Sequence, residues 1–134
     1  MSGVFQDRCL IGVVLFNTGR FFDAHEVLED VWRGAPQDGP LRRHLQGLVQ
    51  LAVAFHHQLT GNLVGARSVL ERALGNLNNA EESFPELDLE GLRASLSLWR
   101  GYLAEDRRTA DESRPALPKL LLRDQGTGRA LTPP

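Results

Sequence analysis

Apolar side chains recur along this chain at intervals of three and four residues, the spacing that gathers them on one side of an α-helix. No alternating β-branched run competes with that pattern. Phe5, Cys9, Val13 and Phe16 form the first stripe, which predicts a helix over about Phe5–Asn17 stopped by Gly19. A second helix is expected over Phe21–Arg33, ahead of Gly34 and Pro36. Asp38-Gly39-Pro40 reads as a turn opening the third and longest, about Pro40–Thr60. That segment is apolar on more than one side through Leu48, Val49, Leu51, Ala52, Val53 and Phe55, as suits a central helix. Gly61-Asn62 ends it, and a fourth helix covers Leu63–Asn79. Ser83-Phe84-Pro85 is a loop. Asp88 is the expected cap of a fifth helix whose stripe is Leu89, Leu92, Leu96, Trp99 and Leu103.

One internal echo constrains how these helices pair. Thr18-Gly19, Ala24 and Val27-Leu28-Glu29 recur 42 residues later as Thr60-Gly61, Ala66 and Val69-Leu70-Glu71. A glycine can take the left-handed turn between two helices, and an alanine lets paired helices approach closely. The expected architecture is all-α: a compact bundle of about five helices, built from two antiparallel helical hairpins plus a C-terminal helix. The unit resembles the hairpin of tetratricopeptide repeats, but the spacing exceeds the ~34 residues of that repeat and only two copies occur. An all-helical domain is therefore expected over 1–108. From Thr109 the chain turns rich in Pro and Gly without a helical period, so 109–134 is expected to be an irregular or mobile tail. Leu120–Leu122 is the stretch of it suited to dock on the body.

Length and charge narrow the classes. A chain of 134 residues is one domain by size. A net charge of −2 provides no basic field for nucleic acid, and the sparse arginines of the tail lack interleaved aromatics. Cys9 is the one cysteine, which excludes an intramolecular disulfide and a cysteine-based zinc site. The longest apolar runs are far too short to span a bilayer, and the N-terminus does not read as a signal peptide. A cytoplasmic protein without a membrane partner is expected. Phosphate loops, nucleophile elbows and dinucleotide fingerprints are missing from the sequence.

The candidate chemistry sits in the second helix. His25, Glu26 and Glu29 read H-E-x-x-E, with His25 and Glu29 one turn apart beside Phe22, Leu28 and Trp32. Ionisable groups on an apolar face need partners, since burying an unpaired charge costs several kcal/mol or more. If the pair is buried, truncating either member is expected to cost about 2–4 kcal/mol. A His and a carboxylate at this spacing can share a metal, with His56 of the third helix as third ligand and Glu26 as general base on metal-bound water. The zinc-hydrolase helix needs H-E-x-x-H, however, and Glu29 stands where its second histidine belongs. A plain His25–Glu29 hydrogen bond is the competing structural reading. Gln46, Gln50, Val53 and His57 share a narrow stripe of the third helix; Gln46 and Gln50 are candidates to line a pocket with His25, Glu29 and Trp32, while His57 is expected to face solvent or a subunit interface. His44, beside Arg42 and Arg43, reads as part of a solvated face, and Cys9 as inert.

Phe16-Asn17-x-Gly19-x-Phe21/Phe22-x-Ala24-His25-Glu26-x-x-Glu29-x-x-Trp32, then Leu45-Gln46-Gly47-Leu48-Val49-Gln50-Leu51-Ala52-Val53-Ala54 and Gly61-Asn62-x-x-Gly65-Ala66, resembles domain-of-unknown-function family 309. The resemblance runs from about Phe5 to Leu77. It implies a compact helical fold with the His-Glu helix at its heart, and it brings no established activity. Three functions remain in competition. The first is a small helical module, a candidate homo-oligomer, binding an unidentified protein or small ligand. The second is a metal-dependent hydrolase using a divalent cation, and the third a metal-free acid–base site. Absence of a cofactor is the leading expectation.

Overall fold

The computed structural model describes residues 3–104 and 114–123, with side chains from residue 7 onward. Among them are five α-helices: α1 (Gly3–Asn17), α2 (Phe21–Gly34), α3 (Leu41–Leu59), α4 (Leu63–Asn76) and α5 (Leu89–Ala104). Each packs antiparallel on the next. Arg8 near the start of α1 pairs with Asp30 near the end of α2. Arg42 at the start of α3 meets Trp32 late in α2, and in α5 Arg93 reaches the Leu77 carbonyl just past α4 while Arg100, two turns on, pairs with Glu71 farther back in α4. The all-α bundle expected from the apolar spacing is what the chain forms.

The two echoed segments close the same way. Gly19 and Gly61 hold φ of +82° and +87°, in the left-handed region that disfavours a side chain. The N–H of Arg20 donates to the Leu15 carbonyl and that of Gly19 to Phe16; Asn62 donates to His57 and Gly61 to Gln58. These are paired Schellman closures. The threonine of each echo bonds back as well, Thr18 to Val14 and Leu15, Thr60 to His56 and His57. Ala24 and Ala66 are fully buried. Two glycines inside helices do further work: a Cβ on Gly12 would lie 2.6 Å from Leu28 of α2, and one on Gly47 would lie 2.7 Å from Leu77. Those contacts set how closely α1 approaches α2 and α3 approaches the end of α4.

Aromatic rings join the layers. Phe16, Phe21, Phe55 and Trp99, from α1, α2, α3 and α5, run in sequence with centroids 5.0, 5.7 and 5.1 Å apart. The α5 stripe is buried at all five positions, and the Asp88 carboxylate accepts from the Gly91 N–H at 2.9 Å, as its capping role requires. Boundaries shift most at α4. It stops at Asn76 rather than Asn79, because Asn79 adopts φ +63° and a single 3-10 turn, Ala80–Glu82, follows.

Residues 114–123 are irregular, as their prolines dictate, and lie bound along the body. Both amide atoms of Asn17 grip the Leu120 backbone: Nδ2 donates to its carbonyl at 2.9 Å and Oδ1 accepts its N–H at 2.7 Å. Lys119 Nζ donates to the Asn17 carbonyl, and the Trp99 indole to that of Ala116. Residues 121–123 pair antiparallel with 86–88. Leu120 is buried, so the docking expected near Leu120–Leu122 occurs through its first leucine. The expectation for the rest of 109–134 lies outside the described residues. No helix among the described residues is long and apolar enough to cross a membrane.

Candidate functional site

Of the residues singled out in α2, His25 and Glu29 are half-buried rather than enclosed. His25 and Glu29 keep 24% and 33% of their side-chain exposure, and Nε2 stands 3.8 Å from Oε1. That is an ion-pair distance, too long for a good hydrogen bond. Glu29 is closer to Arg33, at 3.2 Å on the same oxygen. The pair is thus shallower than the apolar stripe suggested, because Ala24, Leu28 and Val31 take the inward face and turn the H-E-x-x-E edge toward the rim. Glu26 is exposed.

At the α2 N-terminal end the Phe22 ring, half exposed, packs against His25 with centroids 5.7 Å apart and against His56 at 5.4 Å. His56 is therefore brought to the site, as antiparallel packing of α2 and α3 required. Yet no group of three or more His, Cys, Asp or Glu side chains among the described residues is arranged to hold a metal ion. His25, Glu29 and His56 do not form a ligand set here, and an aromatic ring is what the two imidazoles share.

At the other end of the strip, the Arg42 guanidinium stacks over Trp32, 4.4 Å from the ring centroid. Its Nη1 also donates to the carbonyls of Trp32 and Ala35, both at 3.1 Å, closing the α2 C-terminus. The Trp32 indole N–H is buried without a hydrogen-bond partner. Gln46 is exposed on the outer face of α3. Gln50 Oε1 accepts from Asn76 Nδ2 at 2.8 Å, at the α3–α4 contact. Asn62 caps α4 by accepting from the Gly65 N–H at 2.9 Å and stands 3.4 Å from His57 Nδ1.

His44 overturns its expected role. It is fully buried, not part of a solvated face. Its ring bridges α3 to the turn after α4: Nε2 lies 3.1 Å from the Asn78 carbonyl and Nδ1 2.6 Å from Ser83 Oγ. Nε2 also lies 3.3 Å from Arg43 Nη2, but the shorter contact is to the carbonyl, which can only accept; with the proton on Nε2, Nδ1 accepts from the serine hydroxyl. Burial first, and the Arg43 charge second, lower its affinity for a second proton. Arg43 reaches past it to the carbonyls of Gly75, Asn76 and Asn78, closing the α4 C-terminus. The signal was present in the spacing: His44, Leu48, Leu51 and Phe55 share one helical stripe, all buried. The Cys9 thiol is pushed up to about 11 by burial and then by Glu86, which disfavours the reactive thiolate.

Residues 10–69, from α1 through most of α4, match the model of a family described as a domain of unknown function, DUF309. This segment belongs to DUF309. It contains the whole α2–α3 strip. Over 81 residues, 60% of this chain and 24% of the relative, the sequence is 35% identical to an uncharacterised protein of Aquifex aeolicus (strain VF5). Over 73 residues, 54% of this chain and 41% of the relative, it is 30% identical to the uncharacterised protein YpuF of Bacillus subtilis (strain 168). The chain spans less than half the length of either relative.

Proposed function

We propose that this DUF309 chain is a non-catalytic helical binding module whose contact surface is the α2–α3 strip, with an unidentified protein as its partner. The observation that carries this reading is Phe22, a ring left half in water while two imidazoles brace it from the side. A large aromatic held rigid and exposed is the kind of group that dominates binding energy at interfaces. The same strip supplies the polar rim such a surface needs: Glu29 with Arg33, and Arg42 clamping Trp32 at the far end. A hydrolytic role for Glu26 is less favoured, because it is exposed and the imidazoles it would work with are turned to a phenyl ring. Cross-linking capture from a lysate of the source cells, wild type against Phe22→Asp as bait, tests the reading. Proteins retained by the wild type should be lost by the variant, with an unchanged unfolding midpoint. Equal capture by both would refute it.

A further inference from the structure

We propose that the groove bounded by Asn17, Trp99 and residues 86–88 is a recognition site for an extended peptide carrying leucine two residues after proline, donated by a partner protein and occupied in this chain by its own residues 116–123. The groove lies at the α1–α5 end of the bundle, apart from the α2–α3 strip. Three features distinguish it from ordinary tail packing. Most of its polar contacts are directed at backbone: the Asn17 amide reads one N–H and one C=O of the same residue, the Trp99 indole takes the Ala116 carbonyl, and 86–88 add an antiparallel pairing; the exception is the Lys119 ammonium, which donates to the Asn17 carbonyl. Contacts of that type accept an extended segment whatever its side chains, as in strand addition to an open edge. Selectivity comes from two buried positions, Pro118 and Leu120. The occupant is also incompletely matched, since Leu121 and Leu122 remain 55% and 51% exposed.

That mismatch argues for a partner as donor. A second copy would bring the same two exposed leucines, so exchanging segments gains nothing. A foreign segment with the Pro-x-Leu core and better-suited flanks has an advantage to set against the tether. The tether is a real competitor, because a covalently linked occupant acts at roughly millimolar effective concentration. The groove is thus a guarded site.

The test uses the full chain bearing Leu120→Asp, which unseats its own segment, and a fluorescein-labelled peptide with the sequence of 114–123, followed by anisotropy. Saturable binding is expected, at least tenfold weaker for a peptide carrying the same Leu120→Asp change. Adding Asn17→Ala to the protein should weaken binding at least tenfold, and the unaltered chain should bind at least tenfold more weakly than the unseated one. A folded Leu120→Asp chain that ignores the peptide, or binds both peptides alike, overturns the proposal. Should that variant fail to fold, a protease site placed between Arg108 and Thr109 of the full chain is cut after folding. A body that stays folded but does not exchange its fragment for labelled peptide overturns it equally. If the unaltered chain dimerises with concentration and Leu120→Asp abolishes this, the donor is a second copy and the partner assignment falls.

Discussion

Replacing His44 with alanine probes the best-organised polar group in the molecule. The variant removes a fully buried ring together with its contacts to Asn78 and Ser83. Each buried hydrogen bond contributes about 1 kcal/mol net. Lost burial of the ring adds about another 1 kcal/mol, counting area alone. The sum is a destabilisation of about 3 kcal/mol, or a fall of roughly 10 °C in the unfolding midpoint for a domain of this size. Urea denaturation followed by circular dichroism measures it, with Gln46→Ala on the exposed face of α3 as a control expected within about 0.5 kcal/mol of wild type. The pH dependence carries a second signature. The folded-state affinity of His44 for its second proton is lowered from an ordinary value of 6.5, by burial and then by Arg43, against weaker opposing pulls from the Asn78 carbonyl, Glu82 and Glu81. Its stabilisation is complete above that value. As pH falls below it the unfolded chain takes up the proton first, so stability declines until the folded-state value is passed. His44→Gln should flatten that decline between pH 7.5 and 5.5. A His44→Ala midpoint indistinguishable from the control, or an unchanged slope in His44→Gln, would refute the assignment.

Three further outcomes are expected. His25→Ala should cost less than about 1 kcal/mol in the same urea assay, because the ring is only partly buried and lies 3.8 Å from Glu29; a loss above about 2 kcal/mol would mean a tighter pair. Asp88→Ala should cost about 1 kcal/mol through loss of the cap on Gly91, seen as faster amide exchange across the first turn of α5. Glu81 is held at about 2, chiefly by its hydrogen bonds from Arg93, so this contribution is present above about 4.5 and is lost as pH falls toward 2. Arg93→Ala should return the carboxyl toward its ordinary value in an NMR titration; the stability change stays small because both groups are solvent-screened.

Periodicity reached far into this fold for a physical reason. A helix stripe is a local pattern, and the α5 run from Leu89 to Leu103 is buried at each expected position because the same spacing that defines a face also defines what it must cover. The echoed Thr-Gly turns were legible on the same ground, since a left-handed closure demands a particular residue at a particular place. What remained hidden depends on contacts distant in sequence. Nothing local to Asn17 announces that its amide will hold Leu120, 103 positions away.

The histidines show where local reasoning misleads about a site. His25 drew attention because it stands in a helix with aromatics, yet the inward arc of α2 was already filled by Phe21, Ala24, Leu28 and Val31, leaving the imidazole at the rim. His44 was set aside for its arginine neighbours, although its own stripe with Leu48, Leu51 and Phe55 points to the core. Adjacent residues in a helix stand about 100° apart, so the charge of Arg43 says little about where His44 points. What decides burial is the company at i+4, i+7 and i+11. Arg43 in fact serves the same junction from outside, its guanidinium on the α4 carbonyls while the imidazole holds the following turn from within. A basic cluster at a helix start is thus two devices facing opposite ways, one closing a neighbouring helix and one locking its exit. The group best supplied with partners became structural, and the one left with fewer stands at the rim beside the half-exposed Phe22 ring.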